Sequence, residues 1–306
     1  MFSLILYSKD GEYIIHIEDD LDASISNIDT EINKNYIKKL KDNGFYVIGR
    51  ITMFKDAYYV SDNPNTAIKD TKTNKAYKHN KSYWPSAYDR NVWEFDVELA
   101  KESVKNIGFN EIQFDYVRFP DGINYLEKNK IIDLQNRYDE TKAETIQLFL
   151  MYATDEVHNE GSYVSADVFG ESAHNYVTGY GQYWPAISNI VDVISGMPYP
   201  DHFDAHQYGI EEVVWTKPYN VLKYWGSLVA EKQKLIETPA KVRTWIQAYD
   251  AFREPTVEYN SDKISEEIDA LYDNGLTDGY MTWNGSSSLE KYESIGQAFK
   301  EERTNE

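Results

Sequence analysis

Short apolar runs, each closing on polar residues, alternate along the chain with stretches of helical periodicity. The runs fall at residues 2–8, 46–54, 111–119, 163–170, 191–199, 241–249 and 279–284. Between them, apolar positions recur every three or four residues at 31–43, at 92–107, through a long stretch around 127–159, and at 262–274. Gly44, Gly108 and Gly275 directly follow three of these stretches, where a left-handed residue ends a helix, and Ser261 stands where a cap would begin the last. Strands alternating with helices in this way predict βαβ units and a parallel sheet. The chain has neither a Gly-x-Gly-x-x-Gly fingerprint nor a P-loop, which favours an α/β fold of the (β/α)8 barrel type over a doubly wound nucleotide-binding sheet. Seven strands are one short of eight. Either one is hidden in the pattern or the chain opens at what is usually strand two. It opens directly on an apolar strand, which favours the second reading and a barrel lacking its first strand and helix.

Two segments without periodicity follow strand ends. Residues 55–90, rich in Asn, Lys, Asp and Tyr, read as a long loop on the face where barrels build their sites. Residues 171–183 carry His174, Tyr176, Tyr180 and Tyr183 between flexible glycines. No linker, low-complexity tract or internal repeat beyond the βα unit interrupts the pattern, so residues 1–306 are expected to form a single barrel domain.

The most informative stretch is 110–120, Asn-Glu-Ile-Gln-Phe-Asp-Tyr-Val-Arg-Phe-Pro. Glu111, Gln113 and Asp115 share one face of the strand, with Ile112 and Phe114 on the other. Three inward polar groups in a barrel are costly unless something pairs or uses them. Asp115 lies at the C-terminal end, where it is either a site residue or half of an ion pair with Arg50 or Arg243. Asp167 has the same placement before Gly170, as a second site carboxylate or a loop cap, and Glu171 is a rival acid. Two neighbouring carboxylates with pKa values driven apart are what glycosidic cleavage requires. Other strand ends carry Arg118, Tyr199, His202, Gln247 and Trp283; Trp283 and Trp245 read equally as packing, and a lone loop histidine is more often a hydrogen-bonding partner.

Composition narrows the partners. A formal net charge of −20 repels nucleic acid and anionic membranes, and no apolar run is long enough to span a bilayer. With no cysteine, thiolate zinc sites and disulfides are excluded. No HExxH, EF-hand loop or serine-hydrolase elbow is present, so neither metal nor cofactor is expected. Aromatic residues reach 15%, including 26 Tyr and 7 Trp, many beside loop formers, as carbohydrate stacking would use.

Residues 110–120 (NEIQFDYVRFP), 163–170 (YVSADVFG), 191–199 (VDVISGMPY), 241–247 (KVRTWIQ) and 279–284 (GYMTWN) resemble the glycoside hydrolase domain family found in many bacterial secreted and surface proteins. Residues 46–56 and 93–102 are similar to it as well, so the resemblance runs in order through almost the whole chain. The family is similar in layout to barrel glycosidases that include α-amylases, with a nucleophilic Asp ending strand four and the acid on strand five. Counted from strand two, Asp115 and Asp167 take those places. Residues 4–11 depart from the family pattern, with Tyr7 where an acid is usual.

The resemblance implies a glycosidase acting on a polysaccharide. Asp115 would be nucleophile or electrostatic stabiliser, and Asp167 or Glu171 the acid/base. Arg50, Gln113, Arg118, Tyr199, His202, Arg243, Gln247 and Trp283 would bind the sugar. Retention is expected, because neighbouring strand ends hold carboxylates close. The other reading is a non-catalytic barrel that binds cell-wall or surface glycan. An extracellular or surface location fits the resemblance, with any export signal outside this chain; the cytoplasm stays open, as does the oligomeric state.

Overall fold

The computed structural model describes the backbone of residues 2–9, 12–19, 31–301 and 303, and the side chains from Lys34 onward. The strands are β1 (Phe2–Lys9), β2 (Glu12–Asp19), β3 (Tyr46–Thr52), β4 (Glu111–Asp115), β5 (Tyr163–Phe169), β6 (Val193–Met197), β7 (Lys241–Val242), β8 (Thr244–Gln247) and β9 (Tyr280–Trp283). One sheet runs β1-β2-β3-β4-β5-β6-β7, and β8 pairs with β9. From β2 to β7 every ladder is parallel, as is the β8–β9 pair. β8 continues the line of β7 beside β6, and β9 packs next to β1, which brings the circuit of strands back to its start.

The strand that the apolar pattern left out is β2. It pairs antiparallel with β1, Phe2 opposite Asp19 and Lys9 opposite Glu12, and parallel with β3, Ile14 opposite Tyr46. The expected barrel without a first strand is therefore corrected: a hairpin supplies two strands where one was read, and one of them runs against the rest. The side chain of Tyr7 lies outside the described residues.

Helices cover the outside, and aromatic packing fixes them to the sheet. Phe149, on the helix Lys142–Asn159, meets Phe54, Trp93 and Phe114 edge-on at ring-centroid distances of 5.4, 5.6 and 5.6 Å. Edge-to-face pairs of this kind add about 0.5–1.5 kcal/mol each beyond the area they bury. The glycines expected to stop helices do so: Gly44, Gly108 and Gly275 have φ of 85°, 90° and 70°.

Three boundaries differ from expectation. The stretch around 127–159 is not one helix: Ile123–Lys128 ends, Ile132–Asp133 forms a short strand, and Lys142–Asn159 starts anew. The break comes from a capping box in which the Thr141 side chain takes the Glu144 N–H and Glu144 returns to the Thr141 N–H. Asn260, not Ser261, caps the helix Ser261–Tyr272, its side chain accepting from the Lys263 N–H. The segment 55–90 is more ordered than its composition implied. Asp56 caps the helix Ala57–Asp62, and Lys69–Asp70 pairs with Ile132–Asp133, so two loops of the C-terminal face lean on each other.

At Gly196 in β6 a Cβ would stand 2.5 Å from Trp225 Cζ2, inside the edge-on Trp184–Trp225 pair. Gly196→Ala is therefore expected to lower stability by about 1–3 kcal/mol through overpacking, read from the urea midpoint at unchanged m-value.

Candidate active site

Parallel pairing lines up the inward positions of neighbouring strands. Arg50 stands opposite Gln113, Thr52 opposite Asp115, Gln113 opposite Ser165 and Phe114 opposite Ala166. One step beyond Phe114 and Ala166, Asp115 and Asp167 come to the same level at the C-terminal ends of adjacent strands. Both are buried, at 5% and 1% exposure.

Arg50 reaches up from one level below and holds the two together. Its Nη2 pairs with Asp115 Oδ2, and its Nε lies 3.5 Å from Asp167 Oδ2. Asp115 Oδ1 accepts the Tyr116 N–H at 2.6 Å, and Asp167 Oδ1 accepts the Trp245 indole N–H at 2.8 Å. Tyr116 has φ of 50°, a left-handed conformation costing a non-glycine residue about 1–3 kcal/mol. That turn carries its ring against Trp84, and Lys55 Nζ sits 4.5 Å above it. Trp283 lies under the Arg50 guanidinium at 5.5 Å and edge-on to Trp245.

One guanidinium cannot neutralise two buried carboxylates. Burial first, and the Asp115 charge second, push the Asp167 pKa well above the ordinary carboxylate range, and Arg50 offsets only part of this. Burial alone would lower the Arg50 pKa, but Asp115 and Asp167 outweigh it and hold the guanidinium charged. Tyr199, buried beside the same three groups, has its hydroxyl pKa raised, by burial first. An ionised carboxylate and a protonated carboxyl on one arginine can provide a base or nucleophile next to a proton donor.

Several expected sugar contacts turn inward instead. Arg243 makes two bonds to Glu111, at 2.8 and 3.1 Å, and Tyr46 adds a third at 3.0 Å. Gln113 is fully buried, its amide 3.5 Å from Ser195 Oγ. Gln247 accepts the Asp201 N–H at 3.2 Å and donates to the Tyr249 carbonyl. Arg118 lies among Trp84, Tyr116, Phe169 and Tyr180, and donates to the Phe119 carbonyl and to Asp121. The period-two parity was right for Glu111, Gln113 and Arg243. Depth along the strand is not given by parity: Glu111 and Gln113 lie below Asp115 on β4, Glu111 held by Arg243 and Gln113 beside Ser195.

Glu171 is displaced from the Asp115–Asp167 centre into a cleft of about 600 Å³, whose lining includes His174 and His202 but neither aspartate. It sits in the single turn Gly170–Ala173, and the hydroxyls of Tyr176 and Tyr180 donate to its two oxygens at 2.9 and 2.8 Å. Trp245, which the sequence left between packing and the site, bonds Asp167, and Asp201, not counted among the site residues, is buried and accepts the Tyr249 hydroxyl at 2.8 Å. The signal for Trp245 was its parity with Arg243 and Gln247. Among the described residues no three His, Asp or Glu side chains converge as a metal-binding group, and no helix is long and apolar enough to cross a membrane.

The model of a family described as "Putative glycosyl hydrolase domain" matches residues 8–289. No curated protein matches the chain. A hypothetical protein from Ruminiclostridium thermocellum is 30% identical over 53% of this chain and 85% of its own, with a TM-score of 0.42. A class V chitinase from Pseudomonas fluorescens Pf-5 shares 12% identity at a TM-score of 0.54, covering 89% of this chain and 86% of that one. The "putative sporulation-specific glycosylase" ydhD from Bacillus subtilis shares 12% at 0.50, covering 82% and 70%. At that identity the two likenesses speak for the fold, which is that of the α/β barrel glycosidases.

Two outcomes follow from the buried charges. Arg243→Met strands Glu111 and is expected to cost about 3–5 kcal/mol, while Glu111→Leu/Arg243→Met together cost much less, as chemical denaturation would read. For Asp167 the folded pKa exceeds the unfolded value of about 3.9, so the folded state binds the extra proton. Stability therefore falls as pH rises from about 4 through the folded pKa. Asp96 and Glu267, also buried with raised pKa, act in the same sense. The difference between wild type and Asp167→Asn isolates the contribution: the variant should show a shallower decline across that window.

Proposed function

The chain belongs to this glycosyl hydrolase domain family, and from that premise we propose that it cleaves glycosidic bonds of a polysaccharide, as one barrel domain, outside the cell or at its surface. The observation that carries the proposal is the single arginine shared by two buried carboxylates at adjacent strand ends. Asp115 is the nucleophile or the electrostatic stabiliser of the oxocarbenium-like transition state. A proton goes to the leaving oxygen from Asp167, whose pKa burial raises, or from Glu171, which faces the open cleft. Tyr199, Trp283 and His202 frame the sugar. Neighbouring strands favour a short carboxylate separation and therefore retention.

A second reading has one observation in its favour. Arg50, the Tyr116 N–H and the Trp245 indole already satisfy both aspartates, and Asp167 is only 1% exposed. A barrel that binds glycan without cleaving it would tolerate such closure.

Reducing-sugar release across bacterial and plant polysaccharides separates the two. Asp115→Asn should abolish release, by more than about a hundredfold, with the fold intact. Between Asp167→Asn and Glu171→Gln, the variant whose loss is restored on aryl glycosides with good leaving groups is the acid. Equal glycan retention by wild type and Asp115→Asn, with no cleavage by either, would establish the binding module.

A further inference from the structure

The cleft beside the Asp115–Asp167 centre has a charge character of its own. It lies between the ends of β5 and β6, and its volume of about 600 Å³ is in the range of ligand pockets, roughly 300–1,000 Å³. Phe169, Tyr176, Met197 and Phe203 provide apolar surface, while Glu171, Asp204 and Gln207 provide acceptors. Neither lysine nor arginine is among its described lining side chains. Burial lowers the pKa of both His174 and His202, which leaves the two imidazoles neutral at neutral pH.

Lys232 and Arg253, whose charges act on His174 and His202, are held by neutral acceptors outside the lining. Lys232 donates to Asn175 Oδ1 at 2.8 Å, and Arg253 to the carbonyls of Asp201 and Phe203 at 2.7 Å. Glu171 is fixed rather than neutralised: a carboxylate has about four acceptor positions, and the two tyrosine hydroxyls occupy one on each oxygen. The remaining positions are directed by that clamp and suit adjacent hydroxyls or an ammonium group. The walls of the cleft are closely set, since a Cβ at Gly170 would stand 2.9 Å from Pro198 Cα and 3.0 Å from Phe203 Cζ.

We infer that this cleft is a saccharide subsite selective by charge: it takes a sugar unit that is neutral or carries an amine, and rejects one that carries a carboxylate. The inference rests on the glycan-active reading for the word saccharide; the selectivity rests on the lining groups. Phe203 and Tyr176 supply apolar contact for a ring, and Glu171 takes its donors. A uronate brought against Glu171 and Asp204 meets like charge, and no lysine or arginine among the described lining side chains pairs with it.

The test uses the methyl glycosides of glucosamine, glucose and glucuronic acid, and the same three in the galactose series. Binding to the full chain is followed by ligand-observed NMR at pH 7 and two salt concentrations. The expected order is amine, then neutral, then uronate, spanning at least roughly tenfold and compressed at high salt, as one charge interaction near a surface gives. Glu171→Gln should narrow the span while thermal unfolding stays within a few degrees of wild type. Asp204→Asn, farther along the wall, should narrow it in the same direction if Glu171→Gln fails to fold. A flat or reversed order, or no binding by any of the six, overturns the inference. Neither result touches the hydrolase reading, which stands or falls on Asp115.

Discussion

The arrangement at the strand ends depends on one guanidinium. Arg50 is buried where Asp115 and Asp167 meet, and pairs with both. Two carboxylates in a low-dielectric interior repel, and an arginine between them relieves that repulsion for one charge only. The second carboxyl keeps a proton instead, and burial assigns it to Asp167. At the other end of β4, Arg243 grips Glu111 with both terminal nitrogens, a matched pair with a settled geometry. The deeper pair is a brace. The upper group is unbalanced, and that imbalance gives it chemistry.

The fold brings this about with little help from loops. Parallel pairing sets neighbouring strands in register, so inward residues rise in levels, and the two aspartates come at the C-terminal ends, the face on which barrels build their sites. Packing then holds the levels still. Trp245 is both wall and donor: its ring lies edge-on to Trp283 while its indole N–H fixes one Asp167 oxygen. The left-handed turn at Tyr116, which no glycine relieves, hands the backbone N–H to Asp115. Strain at that point is offset by the hydrogen bond and by the aromatic contact with Trp84.

Much of this was legible in the sequence, and what was not has physical reasons. Period-two parity identified Glu111, Gln113 and Asp115 as inward, and the αL glycines marked helix ends. Parity does not report depth, however, so Arg243, Gln113 and Gln247 read as sugar contacts, although Arg243 and Gln113 bond residues of other strands and Gln247 bonds the backbone of Asp201 and Tyr249. Which arginine would meet which carboxylate depended on register between strands about 60 and 130 residues apart, which only the folded ladder sets. β2, Glu12–Asp19, follows β1 after two residues and was assigned no element; Asp10-Gly11 between apolar runs is a hairpin signal that was there to be read. Glu171 was found by its place after a strand, but the tyrosine clamp that gives it a fixed direction comes from residues of a loop without periodicity.

The location of the shared proton can be observed without any substrate. With 13C-labelled aspartate carboxyls, the resonance that disappears in Asp167→Asn should titrate well above a free aspartate, whose pKa is about 3.9. In Asp115→Asn the same resonance should titrate at lower pH, because the neighbouring negative charge is gone while Arg50 remains. An Asp167 carboxyl that titrates in the ordinary aspartate range in the wild type, or one whose midpoint does not move when Asp115 is neutralised, would contradict the shared-arginine arrangement at its root.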